Sequence, residues 1–325
     1  MTEQQKTRKR ILLTGVAVAV AAGITVSLAS AGGGSTTSVT IGGKPGPGTT
    51  LAGCPVFPKS NAWNRDISKA PVDPRSSQYI ASIGRGTGLH PDFGSGQYGN
   101  YGIPFRVVGK NQKRFPVRFT AYGDESDRGP YPIPLNTRIE GGSDNHVIAL
   151  QRGSCRLYEL YRAQRGSGRW LADSGAKFDL RSNKLRPAGW TSADAAGLPI
   201  FPGLARADEA SSGRITHAIR VTVSESQRGY VHPARHFASS SNDRSLPPMG
   251  LRLRLKAGYG LSGFSGQALA LMKAFKKYGM IVADNGSDWY FSGTPDKRWN
   301  DDVLDQLKSV PGRAFEAVKT GPIHR

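Results

Sequence analysis

Three clusters in this 325-residue chain hold residue types that could move protons. The first is Thr87-Gly88-Leu89-His90-Pro91-Asp92-Phe93-Gly94, where Gly and Pro restrict the backbone around His90 and Asp92. Such a stretch suits a cleft-lining loop; it equally suits a structural loop in which Asp92 caps backbone amides. The second is Ile139-Glu140-Gly141-Gly142-Ser143-Asp144-Asn145-His146, just ahead of an apolar strand. Two glycines between the acids let this loop fold back on itself. Paired carboxylates beside a cleft are what glycosidic cleavage needs: one protonates the leaving oxygen, the other attacks or activates water. A histidine beside a carboxylate also serves as a general base. The plainer alternative is a turn rich in Asp, Asn and Gly with His146 at a strand end. The third cluster is Asp208-Glu209 with Thr216-His217. Alternation puts His217 on the apolar face of its strand, where a satisfied core histidine is the simpler reading. If His146 and His217 faced one cavity, they would form an acid–base centre.

The expected catalytic pool is therefore Glu140, Asp144 and Glu209, with His146, His217, His90 and Asp92 as positioning or proton-transfer partners. Trp190, Trp289, Tyr290 and Trp299 lie beside Gly, Ser, Asn and Asp rather than in apolar runs. Apolar sugar faces pack on such rings, so these four are the expected substrate-binding residues; satellite core is the alternative. Other chemistries lack their signatures. There is no P-loop, no GxSxG elbow and no HExxH motif. His232 and His236 are four apart, but Pro233 argues against the helix that would align them. Two cysteines cannot build a zinc site. No cofactor and no metal is expected.

The elements that must position these residues are short. Residues 1–31 read as a signal peptide: Lys6, Arg8, Lys9 and Arg10 precede an uncharged run that ends in Ala29-Ser30-Ala31. An uncleaved N-terminal membrane anchor is the alternative. Residues 32–53 read as a flexible Gly/Ser/Thr/Pro tether, and 54–325 as a single β-rich domain. An even cysteine count in an exported chain suggests a Cys54–Cys155 disulfide, with two buried thiols as the other possibility. Alternation marks strands at 115–122, 217–223 and 251–256; 146–151 and 155–161 flank an Arg152-Gly153-Ser154 hairpin loop. Arg252, Arg254 and Lys256 are expected to face outward. Helices are expected at 75–83, at 266–278 ahead of Gly279, and at 301–309 behind an Asn300 cap, with one helical turn at 191–196.

Composition sets the class. With 41 Gly and 21 Pro, the chain is too heavily punctuated for a helical bundle. Its mean hydropathy of −0.41 excludes a multi-span membrane protein. A mainly β domain is expected, a sandwich or jelly-roll-like or distorted-barrel arrangement with a few short peripheral helices. The 44 Lys+Arg against 24 Asp+Glu, net +20, are spread through the chain, as at Arg152, Arg156, Arg162, Arg165 and Arg169. Dispersed charge reads as a solvated surface that would adhere to anionic envelopes. No nucleic-acid partner is expected, since no recognised motif is present; a secreted nuclease using His146 and His217 is the faint exception.

Several stretches occur together: CPVFP at 54–58 with Trp63-Asn64, TGLHPDFG at 87–94, PYPIPLNTRIEGGSDNH at 130–146, GWTSADAAGLP at 189–199, PPMGLR at 247–252 and KKYGMIVADNGSDWY at 276–290. In these the chain resembles a family of exported proteins, common in actinobacteria and other soil bacteria, of unassigned activity. The resemblance implies an extracellular domain from a polysaccharide-degrading secretome and transfers no catalytic residue. The expectation is a secreted carbohydrate-active protein, a glycoside hydrolase on a cell-wall or environmental polysaccharide. The alternative is a non-catalytic, basic binder of cell-envelope or other anionic polysaccharides.

Overall fold

The computed structural model describes residues 44–46 and 48–325, so the expected signal segment 1–31 lies outside the described residues. Pairing begins ahead of the cysteine at 54. Strand β1 (Lys44–Pro45) pairs with β4 (Arg65–Asp66), and β2 (Thr50–Leu51) with β3 (Cys54–Pro55). Thr49 Oγ1 donates to Glu209 Oε1 at 2.8 Å, and Thr216 Oγ1 to the Gly48 carbonyl at 2.9 Å. Part of the expected tether thus belongs to the folded unit. It is held by backbone pairing, by hydroxyl bonds and by Leu51, which packs against the core.

The chain is mainly β, with several sheets and a few short helices. Six strands, β5 (His90–Asp92), β13 (Ile219–Val223), β14 (Arg252–Leu255), β15 (Met280–Asn285), β16 (Tyr290–Ser292) and β17 (Phe315–Ala317), form a mixed sheet in the order β17-β14-β15-β13-β16-β5. A four-stranded sheet runs β12-β9-β8-β6, from β6 (Phe105–Val108), β8 (Val147–Gln151), β9 (Arg156–Tyr161) and β12 (Ser174–Asp179). A smaller sheet joins β7 (Val117–Phe119), β10 (Gln164–Gly166) and β11 (Arg169–Ala172).

The alternating side chains of the four-stranded sheet serve two cores. Ile148, Leu150, Leu157 and Phe178 share one core with Val221, Leu253, Met280 and Phe291 of the six-stranded sheet. Val147, Ala149, Tyr158 and Leu160 pack on the other side with Trp170 and Ala172. The helices are α1 (Ser76–Ile83), α2 (Ala207–Ser211), α3 (Gly266–Lys277) and α4 (Asp301–Asp305). Helix α3 buries Ala268, Leu271, Met272 and Phe275. It is followed by Gly279 at φ +69°, where a Cβ would sit 2.2 Å from the Leu253 carbonyl oxygen. Asn300 caps α4, accepting from the Val303 amide at 3.1 Å.

Two expectations fail. Residues 191–196 form no helical turn, because Ser192 Oγ and Thr191 Oγ1 bond nearby carbonyls of Asp194 and Leu198 and compete with helical pairing. Arg252 and Arg254 do not face outward; they are 0% and 6% exposed. Strand β14 is paired at both edges, with β17 and β15, and all four of its residues are buried, so both of its faces are covered. Arg254 donates to Glu316 on β17 and to the Ile67 and Ala70 carbonyls, and Arg252 donates through its two terminal nitrogens to the Tyr278 and Ala62 carbonyls.

Cys54 and Cys155 form a disulfide with Cα atoms 5.3 Å apart, tying β3 to the β8–β9 hairpin. The bond fits a chain that folds in an oxidising compartment. Among the described residues no helix is long and apolar enough to cross a membrane. The bridge closes a loop with a sequence separation of 101, for which chain entropy gives a ceiling of about 4.7 kcal/mol. A Cys54→Ser/Cys155→Ser variant is expected to lose about 2–5 kcal/mol in denaturant unfolding. A loss below about 1 kcal/mol would show that the hairpin holds the N-terminal segment without the bond.

Candidate functional site

Strand β5 is an edge strand, and it pairs in parallel with β16 so that His90 lies opposite Tyr290 and Asp92 opposite Ser292. The His90 and Tyr290 rings stack with centroids 3.9 Å apart and planes 12° apart. Ser292 Oγ accepts from Arg220 Nη1 at 2.8 Å. Arg220, on the central strand β13, is also gripped by Asp194, Nε to Oδ2 and Nη2 to Oδ1, both at 2.8 Å, with Asp284 Oδ2 3.5 Å from Nη2. Burial alone would lower the Arg220 pKa; the Asp194 charge and hydrogen bonds outweigh it and keep the guanidinium charged.

The 139–146 loop reaches the same region. Gly141 lies so close to the 94–102 loop that a Cβ there would be 3.1 Å from the Asn100 carbonyl oxygen. Glu140 Oε2 accepts from the His146 amide at 3.0 Å and meets His146 Nδ1 at 2.5 Å. His146 Nε2 lies 3.0 Å from the Ala193 carbonyl. Both ring nitrogens face acceptors, the arrangement of an imidazolium. Burial works against that charge, but Glu140 and then Asp144 prevail and hold the His146 pKa at about 9. For Glu140, burial pushes the carboxyl up, yet the His146 charge and hydrogen bonds win and lower it.

Asp92 has the opposite fate. Burial pushes its carboxyl up, and the pull of His90 and Arg220 is met by the repulsion of Glu140 and Asp144, so its pKa ends raised. Burial also lowers His90, against the attraction of Asp92. Asp144 accepts from the Tyr161 hydroxyl at 3.5 Å. The first two sequence clusters therefore form one electrostatic neighbourhood. It opens on a groove of about 390 Å³ lined by His90, Asp92, Tyr98, Tyr101, Tyr290 and Asp301, among others. Tyr98 and Tyr101 are 67% and 56% exposed. Gly99, at φ +138°, makes room for Tyr101; a Cβ there would lie 2.7 Å from that ring.

The third cluster lies elsewhere. Glu209 Oε2 meets His217 Nε2 at 3.0 Å, and Oε1 meets Arg206 Nη2 at 2.7 Å and Thr49 Oγ1 at 2.8 Å. His217 Nδ1 is 2.8 Å from the Ala218 carbonyl. His146 and His217 thus sit in separate pairs and form no common centre. Three of the four expected binding aromatics also fall outside the groove. Trp289 and Trp299 are 0% and 4% exposed, their indole nitrogens donating to the Gly84 and Thr294 carbonyls. Trp190 is covered by Arg186, whose guanidinium carbon lies 5.5 Å from the ring centroid. Tyr290 alone of the four lines the groove.

Sequence reasoning missed Arg220, Asp194, Tyr98 and Tyr101. An Arg inside the apolar run Ile219–Val223 was the available signal, since a strand buried on both faces keeps a charge only with a partner. The tyrosines stand in a Gly-rich stretch with no periodicity to mark them. Among the described residues no group of three or more His, Cys, Asp and Glu side chains is placed to hold a metal ion. No family model, curated protein or solved structure matches the chain.

Two titrations check this electrostatic picture. The His146 ring is expected to lose its proton near pH 9. In Glu140→Gln the same NMR titration should fall by at least about 2 units, because burial remains while the main countercharge is gone; an unmoved midpoint would break the pairing. For Glu209, burial pushes the carboxyl up, but His217, Arg206 and Thr49 bring it down from 4.5 to about 2. A depressed acid stabilises the fold fully above pH 4.5 and loses that contribution as pH falls toward about 2. The shift corresponds to about 3 kcal/mol. Glu209→Gln should therefore narrow the stability gap between about pH 6 and pH 3 in denaturant titrations; an unchanged gap would contradict the assignment.

Proposed function

We propose that the protein is a secreted carbohydrate-active enzyme that hydrolyses glycosidic bonds of a cell-wall or environmental polysaccharide. The observation behind this reading is the divergence of two neighbouring carboxyls: Asp92 is raised at the groove while Glu140 is lowered by His146. Neighbouring acids pushed apart in this way divide into acid and base. Asp92 gives its proton to the glycosidic oxygen as the bond from that oxygen to the anomeric carbon breaks. Glu140 takes a proton from water whose hydroxyl joins the anomeric carbon, and solvent returns that proton to Asp92. Glu140 Oε2 is occupied by His146, whereas Oε1 has no hydrogen-bond partner among the described residues and is the oxygen available for water. Tyr98, Tyr101 and the His90–Tyr290 stack supply ring faces for sugars. Asp144 adds negative charge that favours the cationic transition state.

A second reading has an observation of its own. Arg156, Arg162, Arg165 and Arg169 are exposed on β9 to β11 and the turns joining them. A non-catalytic protein gripping anionic envelope polymers through them would show salt-sensitive binding without turnover.

The purified chain is expected to release reducing ends from at least one member of a polysaccharide panel. Asp92→Asn and Glu140→Gln should each lower kcat by about 10²–10⁴-fold with the circular dichroism spectrum retained. The pH profile should be a bell with its optimum on the acid side, since activity needs Glu140 ionised and Asp92 protonated. Turnover of no polymer, with salt-sensitive binding to anionic ones, would replace the enzyme by the binder.

A further inference from the structure

Helix α1 contributes to two basic hollows that share Asp73 in their linings. The first, of about 250 Å³, carries Arg75 and Arg244. The second, of about 410 Å³, carries Arg85, Lys256 and Arg313. Arg75 is half-buried and the other four are exposed. Backbone pairing gathers the second group from three distant parts of the chain. The Arg313 amide donates to the Arg85 carbonyl at 2.9 Å, and the Lys256 amide to the Ala314 carbonyl at 2.9 Å. The Ser82 hydroxyl donates to the Ser245 carbonyl at 3.0 Å, which ties the Arg244 loop to α1.

These cations lack counter-charges. Among the described residues none of the five takes part in an ion pair. Of the acids in the linings, Glu316 is taken by Arg254, whose Nε and Nη2 reach its Oε1 at 3.0 and 2.5 Å. Asp73 remains, its Oδ1 accepting from the Arg75 amide at 2.8 Å. Asp243, beside Arg244 in the chain, turns Oδ1 to the Ser245 amide and hydroxyl at 2.8 and 2.7 Å. Five positive charges against these two acids leave an excess of three, drawn without Arg325, whose residue also carries the last carboxyl group of the chain. Like charges gathered in a concavity repel one another and raise the local concentration of anions. The outer strands differ. Arg162 is paired with Asp173 at 3.0 Å, and Arg165 donates to the Leu135 and Thr137 carbonyls at 2.7 and 2.8 Å.

The shape selects the ligand class. A single small anion would meet only part of the cations. The hollows adjoin at Asp73, so a chain with repeated anions meets them in succession. Val72, 47% exposed, lines the second hollow and offers an apolar contact to the carbon skeleton of such a chain. Guanidinium forks match the oxygens of carboxylates and phosphodiesters alike. A single-stranded nucleic acid is held by ring faces as well as by cations, whereas Tyr79 and Phe315, the rings in these linings, are 2% and 1% exposed. A bilayer would gain little from one valine.

We infer that this face binds a linear anionic carbohydrate polymer with one carboxylate or phosphodiester per repeat, at a site separate from the Asp92 groove and independent of the glycan-hydrolase reading.

The test measures binding to the full chain by affinity electrophoresis and calorimetry, so its failure leaves the hydrolase reading untouched. Four probes of matched length are used: a polygalacturonate, a poly(glycerol phosphate), a neutral glucan and a single-stranded DNA. At least one of the first two is expected to bind, with a Kd that rises about tenfold or more from low to physiological salt. The stronger of them names the anion. Arg85→Ala/Lys256→Ala/Arg313→Ala should weaken that binding about tenfold. Lys59→Ala/Arg118→Ala/Lys273→Ala removes the same charge from exposed sites elsewhere and should change it less than about twofold. If the first variant loses its circular dichroism spectrum, Arg244→Ala/Lys256→Ala replaces it, with an expected loss of about threefold. A loss of equal size from the control or from Arg156→Ala/Arg169→Ala overturns the inference. So does equal binding of the neutral glucan, tighter binding of the DNA, or binding of no probe.

Discussion

A buried guanidinium organises the centre of this molecule. Arg220 projects from the central strand of the six-stranded sheet and is 5% exposed. Removing such a charge from water costs several kcal/mol unless opposite charges and hydrogen bonds offset it. Asp194 provides both, and it stands in a loop rather than a strand, so the Arg220 charge fixes that loop against the sheet. The Ala196 amide adds a bond to the Ala283 carbonyl. The neighbour of Asp194, Ala193, then presents its carbonyl to His146. One ion pair therefore sets the position of the histidine that holds Glu140. Through Ser292 it also reaches the strand paired with Asp92.

Two glutamate–histidine pairs occur in the fold, and their difference separates structure from chemistry. In each, the imidazole joins one carboxylate to one backbone carbonyl. Glu209 spends both oxygens, on His217, Arg206 and Thr49. A carboxylate saturated by donors and sealed in the interior has no lone pair to offer a reactant. It fastens the N-terminal segment to α2 and to the entrance of β13. Glu140 spends one oxygen and lies in a loop that adjoins the groove. On the proposed reading, the same residue pair is a fastener in one setting and a tuned base in the other because of the donors around it.

The legibility of the sequence follows the same division. Strands β8, β9 and β13, helix α3 with Gly279, and the Asn300 cap were readable because local periodicity and backbone preference act on contiguous residues. The disulfide was readable from count and context. The approach of the 87–94 and 139–146 stretches was not, since it depends on β5 crossing to pair with β16 far along the chain. Alternation misled at β14. Leu251, Leu253 and Leu255 alternate with basic residues, the pattern of a half-exposed strand, yet Glu316 and several carbonyls receive Arg252 and Arg254 inside the protein. Indole rings misled too. Trp289 and Trp299 sit among polar neighbours in sequence but close on core residues such as Phe315 and Phe93. Polar neighbours along a chain do not measure exposure where strands are as short as β16.

Charge placement resolves the tension between a strongly basic protein and an acidic groove. Electrostatic forces between exposed groups decay over about 10 Å at 0.1 M salt. The exposed arginines of the outer strands act on extended surfaces that meet many of them at once, where weak terms sum. A single polymer chain in the groove meets only the charges that line it. A basic body and an acidic site thus impose two independent selections, one for where the protein adheres and one for what its groove accepts. On the proposed reading, the two work together. Adhesion to an anionic envelope raises local concentration without competing for the site, because an anionic polymer drawn to the surface meets the carboxylate of Asp301 in the groove lining. A uniformly basic protein would have lost that separation, with its surface ligand becoming its inhibitor.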